Sequence, residues 1–136
     1  MRIPSVLFAA CVPVLACMFA SQPAYAFDLS GAWATSAGVC DKIFVKQGKT
    51  ISFKPHSSEF GGGFIVDGSH IRGQSAQCRI KTTKQDGDVT YLLASCATDI
   101  LLSNAQFSFK VVNDNRIIRL YPGMEDQQIT YDRCPM

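Results

Sequence analysis

Few residues of this chain have the chemistry that catalysis or metal binding requires. The two histidines, His56 and His70, have no second His, Cys or carboxylate at metal-ligand spacing, so no metal site is predicted. Ser57, His70 and Asp99 supply the side-chain types of a hydrolytic triad, but a triad is defined by geometry and not by composition. The chain has no phosphate-binding loop and no dinucleotide-binding motif. We therefore predict no enzyme and no cofactor, and a hydrolase is a distant third among the candidate functions.

The first 26 residues predict where the chain works. Arg2 supplies a short positive region, residues 6–20 are almost entirely apolar, and Ala24-Tyr25-Ala26 is a small-x-small cleavage site. This pattern is typical of a secretory signal peptide that is removed after Ala26. Residues 27–136 then remain as a single exported domain, in a compartment where disulfides form and persist.

Two other interpretations of this segment stay open. As a membrane anchor, its apolar run of about 15 residues is shorter than the roughly 20 that a spanning helix needs, and Pro13 interrupts the run. As a lipoprotein signal, residues 14–17 look like a lipobox that would be acylated at Cys17. Cleavage after Ala26 is the interpretation we adopt, and it leaves no membrane-spanning segment in residues 27–136.

The predicted domain has nearly balanced charge and an even number of cysteines. Without Arg2, 12 Lys and Arg residues face 11 Asp and Glu residues, a net charge of about +1. No basic cluster is present that would follow a phosphate backbone, so no nucleic-acid partner is predicted. An even count of cysteines in a small exported domain predicts two disulfides. The cysteines are Cys40, Cys78, Cys96 and Cys134.

Short alternating runs bounded by turn residues recur from Trp33 onward, and no long apolar stripe has helical spacing. With the segments around Trp33 and Ile71, these runs predict a barrel of eight or nine strands. We predict an all-β fold, a single small antiparallel meander barrel, with an open sandwich as the competing architecture. The other predicted runs are residues 43–45, 51–53, 64–66, 76–84, 89–96, 107–112, 116–121 and 129–133.

One hairpin predicts a disulfide pairing. A three-residue loop at residues 86–88 places Cys78 opposite Cys96 on one face of the two strands, because side chains alternate along a strand. Directly opposed cysteines are close enough to bond, although each could instead pair with another strand. The same register sets Ile80 opposite Ala94. By elimination, Cys40–Cys134 is the second bridge, which would tie the first strand to the last as a closed barrel requires.

A second hairpin is predicted around a two-residue turn at Asp114-Asn115, where both residues tolerate positive φ. Its register places two like charges, Lys110 and Arg119, opposite each other on the outer face. It also pairs Val111 with Ile118 and Phe109 with Leu120. Many inward residues are large, which predicts little empty volume inside the barrel. The residues predicted to face inward are Leu92, Phe107, Phe109, Val111, Ile118 and Leu120.

Gly31-Ala32-Trp33 resembles the G-x-W signature of the lipocalin and calycin family, and Thr98-Asp99-Ile100 resembles its T-D-Y turn, with Ile100 in place of the aromatic residue. The resemblance implies a binding barrel in which Trp33 closes one end beneath a late arginine, Arg119 or Arg133. The chain is also similar in size to small exported bacterial barrels that inhibit proteases or lysozymes. Some of those barrels open with Gly-x-Trp and then a Cys, as this chain does. This likeness implies a bacterial protein, periplasmic or secreted.

Two segments are candidates for contact with a partner. Gly61-Gly62-Gly63, between Phe60 and Phe64, is interpreted either as a mobile lip at the barrel mouth or as a plain loop or bend. Tyr121 and Met124 belong to a turn with exposed apolar character. We therefore predict a non-enzymatic binding module that acts through its loops on a protein partner. The alternative is a carrier of a small apolar ligand.

Overall fold

The computed structural model describes residues 25–136, in which there are ten strands, one short helix and two turns of 3-10 helix. Residues 1–24 of the predicted signal segment, which include the alternative acylation site Cys17, lie outside the described residues. The strands are Gly31–Ala34 (β1), Phe44–Gln47 (β2), Thr50–Phe53 (β3), Gly63–Asp67 (β4), His70–Gly73 (β5), Gln77–Asp86 (β6), Val89–Ala97 (β7), Leu102–Asn113 (β8), Arg116–Leu120 (β9) and Ile129–Cys134 (β10). The helix α1 is Cys40–Ile43, and the 3-10 turns are Ala37–Val39 and Ser57–Glu59.

Eight of these strands close into an antiparallel barrel in the order β1-β10-β9-β8-β7-β6-β5-β4, and β4 pairs with β1 to complete the ring. From β4 to β10, each strand pairs with the next one in the sequence. The strands β2 and β3 form a separate hairpin within the insertion between β1 and β4. The predicted all-β meander barrel is confirmed, and the open sandwich is not the architecture.

Both predicted disulfides are present. Cys78 and Cys96 are direct partners across β6 and β7, with their Cα atoms 4.0 Å apart. Cys40 begins α1 and is bonded to Cys134 at the end of β10, with Cα atoms 5.6 Å apart. The second bridge therefore ties the insertion to the last strand of the barrel.

The two ends of the barrel differ in the connections between strands that lie there. We call one of them the closed end, where the segment 27–30 precedes β1 and the hairpins turn tightly at residues 68–69, 87–88 and 114–115. We call the other the open end, where β4 begins and the longer connections lie at residues 74–76, 98–101 and 121–128.

Side chains of β1 alternate between two apolar clusters, as the pleat of a strand requires. Trp33 points into the barrel and packs with the interior residues of the other strands. Ala32 and Ala34 point outward, where α1 and β2 cover them with Ile43 and Phe44. The insertion therefore buries the outer face of the barrel wall at β1, so that this wall is packed on both sides.

The first predicted hairpin has the expected disulfide register but a different turn. The predicted three-residue loop is wrong, because Asp86 pairs with Val89 across a two-residue turn. A bulge at Lys81 supplies one extra residue in β6 and shifts the register back. Cys78 therefore still lies opposite Cys96, and the predicted pair of Ile80 with Ala94 is confirmed as well.

The second predicted hairpin has the expected turn but a different register. Asn113 pairs with Arg116 across the predicted two-residue turn, and a bulge at Val112 then shifts β9 by one residue. The predicted like-charge pair and the predicted Val111–Ile118 and Phe109–Leu120 pairs are therefore wrong. The pairs in the structure are Val111–Ile117, Phe109–Arg119 and Lys110–Ile118.

This one-residue shift exchanges the two faces of β9. Ile117 is fully buried in the barrel interior, and Arg119 shares its face. Ile118 and Leu120, which were predicted to face inward, lie on the outer face and are half-buried. An arginine thus enters the barrel where an aliphatic residue was expected. The other residues predicted inward are confirmed, namely Leu92, Phe107, Phe109 and Val111.

Candidate functional site

An aromatic column runs along the inside of the barrel and connects its two ends. Its rings, from the closed end to the open end, are Trp33, Phe64, Phe109 and Phe107. Successive ring centroids are 6.4, 5.6 and 6.2 Å apart. An arginine packs on the column at each end, Arg133 on the first ring and Arg119 on the last. The two arginines differ in everything else that surrounds them.

The closed end is sealed by the segment that precedes β1. Trp33 is fully buried, and its indole Nε1 donates a hydrogen bond of 2.8 Å to the carbonyl of Leu29. Phe27 packs on the indole at 6.4 Å, and its backbone N–H donates to the side-chain oxygen of Gln85 at 3.2 Å. Gln85 in turn accepts from the buried Thr90 hydroxyl at 2.7 Å. These three donors are therefore satisfied by the chain itself.

Arg133 fixes this seal in place. Its guanidinium carbon lies 4.3 Å from the centroid of the Trp33 ring and 5.7 Å from that of Phe27. The same guanidinium donates to three backbone carbonyls, which belong to Asp28, Ser30 and Asp114. Of the two arginines considered from the sequence, Arg133 is the one that packs over the tryptophan, and Arg119 does not.

The open end, by contrast, contains a cavity of about 280 Å³ inside the barrel. The prediction of little empty volume is wrong here, because two glycines, an alanine and a disulfide line the mouth where larger side chains would have filled it. Phe64 lies between this cavity and Trp33. The cavity lining comprises Gly63, Phe64, Ile71, Gly73, Ala76, Cys78, Cys96, Phe107, Phe109, Arg119 and Tyr131.

Arg119 is the cationic side chain of this cavity. Its guanidinium carbon lies 4.9 Å from the Phe107 ring centroid and 4.7 Å from that of Tyr121. No carboxylate pairs with it within residues 25–136, where the ion pairs are His56–Glu59 and Arg116–Asp132. The guanidinium is therefore held by aromatic faces, which attract its charge but leave its N–H groups available to an acceptor.

Tyr131 adds a polar group to the same wall. The residue is buried, and this burial raises the pKa of its phenol, while the positive charge of Arg119 acts in the opposite direction. The phenol therefore keeps its proton at neutral pH. The cavity thus combines an apolar lining with one positive charge and one hydroxyl, a composition typical of small-molecule sites.

The rim of the open end carries three consecutive exposed aliphatic side chains. Ile100, Leu101 and Leu102 are 96, 60 and 83 % exposed. They follow an ordered turn, in which the Thr98 N–H donates to the Leu101 carbonyl at 2.9 Å and the Leu101 N–H donates to the Thr98 hydroxyl at 3.1 Å. The family likeness implied a turn at this segment but did not predict that its side chains are exposed. The signal available in the sequence was the apolar run Ile100-Leu101-Leu102 directly after Asp99.

The charged residues in the three open-end connections are all acidic. Asp99 lies in the connection between β7 and β8, and Glu125 and Asp126 lie in that between β9 and β10. The open-end connections, residues 74–76, 98–101 and 121–128, contain no Lys or Arg. The rim therefore combines exposed apolar side chains with acidic side chains in its connections.

The residues predicted for partner contact fall in different environments. Phe60 and Met124 are exposed at 46 and 54 %, and Lys42 lies over the Phe60 ring at 5.6 Å. Tyr121 is half-buried beside Arg119, and Phe64 is buried in the aromatic column. Met124 and Tyr121 thus belong to the open end, as Phe64 does to its cavity, while Phe60 lies at the edge of the insertion.

The glycines at residues 61–63 fit closely against their neighbours. Gly61 has φ of +136°, and a Cβ at this position would lie 2.9 Å from the Thr35 hydroxyl. A Cβ on Gly63 would lie 2.9 Å from the carbonyl oxygen of Trp33 and from the Phe44 ring. Glycine is therefore required here for backbone conformation and for close packing, as in the bend that was considered from the sequence.

The three residues considered as a triad are spread over the molecule. Ser57 is buried, and its hydroxyl accepts from the Gln74 amide at 3.2 Å. His70 is exposed at the closed end, where its backbone lies opposite Asp67 in the β4–β5 hairpin, and Asp99 lies at the opposite end of the barrel. The structure does not bring these side chains together. Within residues 25–136, no group of three or more His, Cys, Asp or Glu side chains converges.

The fold and the site together define a closed, disulfide-linked, eight-stranded antiparallel barrel with one sealed end and one open end. No family model matches the chain, and neither the curated proteins nor the solved structures contain a match. In the part of the chain that the structure describes, no helix has both the length and the apolar character needed to cross a membrane.

Proposed function

We propose that this protein is an exported, non-enzymatic binding module that contacts a protein partner through the rim of its open end. The observation that carries the proposal is the exposure of three consecutive aliphatic side chains, Ile100, Leu101 and Leu102, on that rim. Exposed apolar clusters of this kind mark interaction sites in folded proteins. The Thr98 turn that holds them limits the ordering cost of binding.

The charge of the rim indicates what the partner looks like. Asp99, Glu125 and Asp126 are the charged residues of the open-end connections, which contain no Lys or Arg. A partner that receives Ile100 in an apolar pocket and places Lys or Arg residues around it would be complementary. An anionic membrane surface would be repelled, so a protein is the favoured partner.

The proposed location is a bacterial periplasm or the extracellular medium. The signal-peptide pattern of residues 1–26 supports export, and two disulfides are compatible with an oxidising compartment. The likeness to small exported inhibitor barrels, and to the lipocalin and calycin family, supports an inhibitor-like or envelope-associated role for the rim.

The test compares three versions of the exported, disulfide-bonded protein as bait in periplasmic extract. They are the wild type, Ile100→Asp, and Leu93→Asp, whose parent residue is 45 % exposed on β7, outside the open-end connections. We expect near-stoichiometric capture of one protein by the wild type and by Leu93→Asp, and loss of capture by Ile100→Asp. The captured protein is then purified and its affinity for all three versions is measured. Equal affinity for all three would contradict the proposed rim.

A second candidate function is carriage of a small apolar ligand, and the cavity at the open end favours it. Its volume of about 280 Å³ lies just below the range of about 300–1,000 Å³ that is usual for small-molecule sites. Its lining is largely aromatic and aliphatic. The rim and the cavity lie at the same end of the barrel. Variants at Ile100 test protein binding at the rim, and variants at Arg119 test ligand binding in the cavity.

A further inference from the structure

We infer that the cavity at the open end binds a small monocarboxylate with an apolar chain, and that Arg119 receives the carboxylate. This inference rests on the second candidate function and specifies the chemistry of its ligand. It is independent of protein binding at the rim.

The apolar part of the ligand follows from the walls of the cavity. Phe64, Phe107 and Phe109 present ring surface to it, and Ile71 and the Cys78–Cys96 bridge line the remaining sides. A chain or ring of modest size would exchange water for these surfaces on entering, which is favourable in proportion to the apolar area buried. The volume restricts the ligand to a small one.

The anionic part of the ligand follows from the position of Arg119, whose guanidinium is half-buried without a carboxylate partner within residues 25–136. A guanidinium that is half-buried in an apolar site needs an acceptor, and within residues 25–136 no carboxylate pairs with it. Its planar fork matches a carboxylate, to which it can donate two parallel hydrogen bonds. The protonated phenol of Tyr131 lies on the same wall and can donate a further one.

The charge of the ligand is limited to one by its surroundings. One arginine faces the cavity, while Asp99, Glu125 and Asp126 make the rim above it acidic. The rim carboxylates are exposed and act through water and salt, so their effect on a single charge inside the barrel is weakened. A dianionic headgroup such as a phosphate would retain a second charge with no cation to meet it. A carboxylate is therefore favoured over a phosphate.

The bulge at Val112 is the structural origin of this site. Without the shift that it introduces, Leu120 would lie opposite Phe109, and Arg119 would face solvent on the outer wall. The bulge therefore determines which residue of β9 points into the cavity.

The experiment is a calorimetric titration of the exported, disulfide-bonded protein with three probes of the same chain length: octanoate, octan-1-ol and octyl phosphate. We expect octanoate to bind about tenfold or more tightly than octanol, because a hydrogen-bonded charge pair is formed only by the acid. Octyl phosphate is expected to bind more weakly than octanoate.

Variants then connect the preference to the residue. Arg119→Met is expected to reduce the octanoate-to-octanol preference to about one, whereas Arg119→Lys retains part of it because the charge remains. Arg79→Met is the matched control, because Arg79 is exposed on β6 outside the barrel, and this variant should bind like the wild type. Circular dichroism of each variant verifies that the barrel is intact.

Each contrary result has a distinct meaning. Equal binding of octanoate and octanol by the wild type would overturn the role of Arg119 while leaving an apolar carrier in place. Tighter binding of octyl phosphate would overturn the monocarboxylate. No binding of any probe would overturn both this inference and the carrier function. None of these results bears on the capture experiment with Ile100→Asp.

Discussion

The two ends of this barrel use the same pair of side-chain types for opposite purposes. At the closed end, Arg133 packs on Trp33 at 4.3 Å and donates to three backbone carbonyls. At the open end, Arg119 packs on Phe107 at 4.9 Å and has no carboxylate partner within residues 25–136. An arginine whose three guanidinium nitrogens each donate to a backbone carbonyl holds the structure together. An arginine that packs on aromatic rings without a carboxylate partner can still receive an anionic ligand.

The residues around each arginine explain the contrast. Segment 27–30 lies across the closed end, where Phe27 and Leu29 fill the space beside Trp33. At the open end, Gly63, Gly73 and Ala76 have no side chains large enough to fill it. Stability is therefore expected to depend on the closed end and binding on the open end, and the following variants test that division in order of decreasing effect.

The largest expected effect is on the two disulfides. Replacing Cys40 and Cys134 by Ala opens a loop of sequence separation 94, whereas replacing Cys78 and Cys96 opens one of 18. The chain-entropy model predicts losses of about 4–5 and about 3 kcal/mol in the free energy of unfolding. Urea denaturation of both double variants measures the difference. A larger loss for the open-end bridge would contradict the proposed division of labour.

The second effect separates the two arginines directly. Arg133→Met removes three hydrogen bonds to carbonyls and the packing over Trp33, so we expect a loss of about 2–4 kcal/mol in unfolding free energy. Arg119→Met removes the stacking on Phe107 and Tyr121 and the interaction with the Tyr131 phenol, and should cost about 1 kcal/mol or less. The same urea titrations serve as the measurement. Similar losses for the two variants would mean that Arg119 is also structural.

The third effect sharpens the description of the open end, whose rim is not uniform. Gly63→Ala places a methyl group 2.9 Å from the Trp33 carbonyl and should destabilise the fold by about 1–3 kcal/mol. Gly73→Ala lines the same cavity, but its nearest neighbour would be 3.5 Å away, so a change within about 0.5 kcal/mol is expected. Thermal melts of the pair provide the comparison. Tolerance of Gly63→Ala would show that β1 and β4 can separate without cost.

The smallest effect is a pH dependence of the closed end. Hydrogen bonds from Ser30 lower the pKa of Asp28 from its usual 3.8. A lowered pKa means that the ionised Asp28 stabilises the fold above pH 3.8 and loses this contribution as the pH falls further. Because Asp28 is exposed, we expect only a few tenths of a kcal/mol, present in the wild type and absent in Asp28→Asn.

Unfolding curves collected between pH 7 and pH 2 check this expectation. Ser30→Ala is the matched variant, since it keeps the carboxylate but removes the hydroxyl that donates to it, and it should show part of the difference. Identical acid sensitivity of the wild type and Asp28→Asn would mean that segment 27–30 does not depend on this carboxylate.

Which features the sequence could predict depends on how local their causes are. The strand pattern, the turn at Asp114-Asn115 and the disulfide between Cys78 and Cys96 follow from alternation and turn residues over short distances. The bulges at Lys81 and Val112 have no such signal, because both residues would fit an unbroken strand. The bulge at Lys81 keeps Cys78 opposite Cys96 although the turn is one residue shorter than predicted. The bulge at Val112 exchanges the inward and outward faces of β9 relative to the prediction.

The positions of the candidate site residues were the hardest to predict, because their causes are not local in the sequence. Arg119 enters the cavity only because of the bulge at Val112, so its position could not be derived from alternation. The exposure of Ile100 and Leu102 depends on which loops the barrel leaves uncovered, which is a property of the closed ring and not of the local sequence. Trp33 and its arginine were foreseen through a family likeness, although the choice between Arg119 and Arg133 required the structure.

The position of β1 also has a consequence for how the chain folds. β1 is the first strand of the barrel to be synthesised, yet its partners are β4 and β10, and β10 is the last. The strands from β4 to β10 can pair with their sequence neighbours through local hairpins, whereas β1 can pair on both sides only after β4 and β10 have formed. Until it docks, those two strands expose unpaired backbone groups that another copy could capture. Pairing of Gly31–Ala34 with both strands is therefore expected to be the step that closes the barrel and removes these exposed edges.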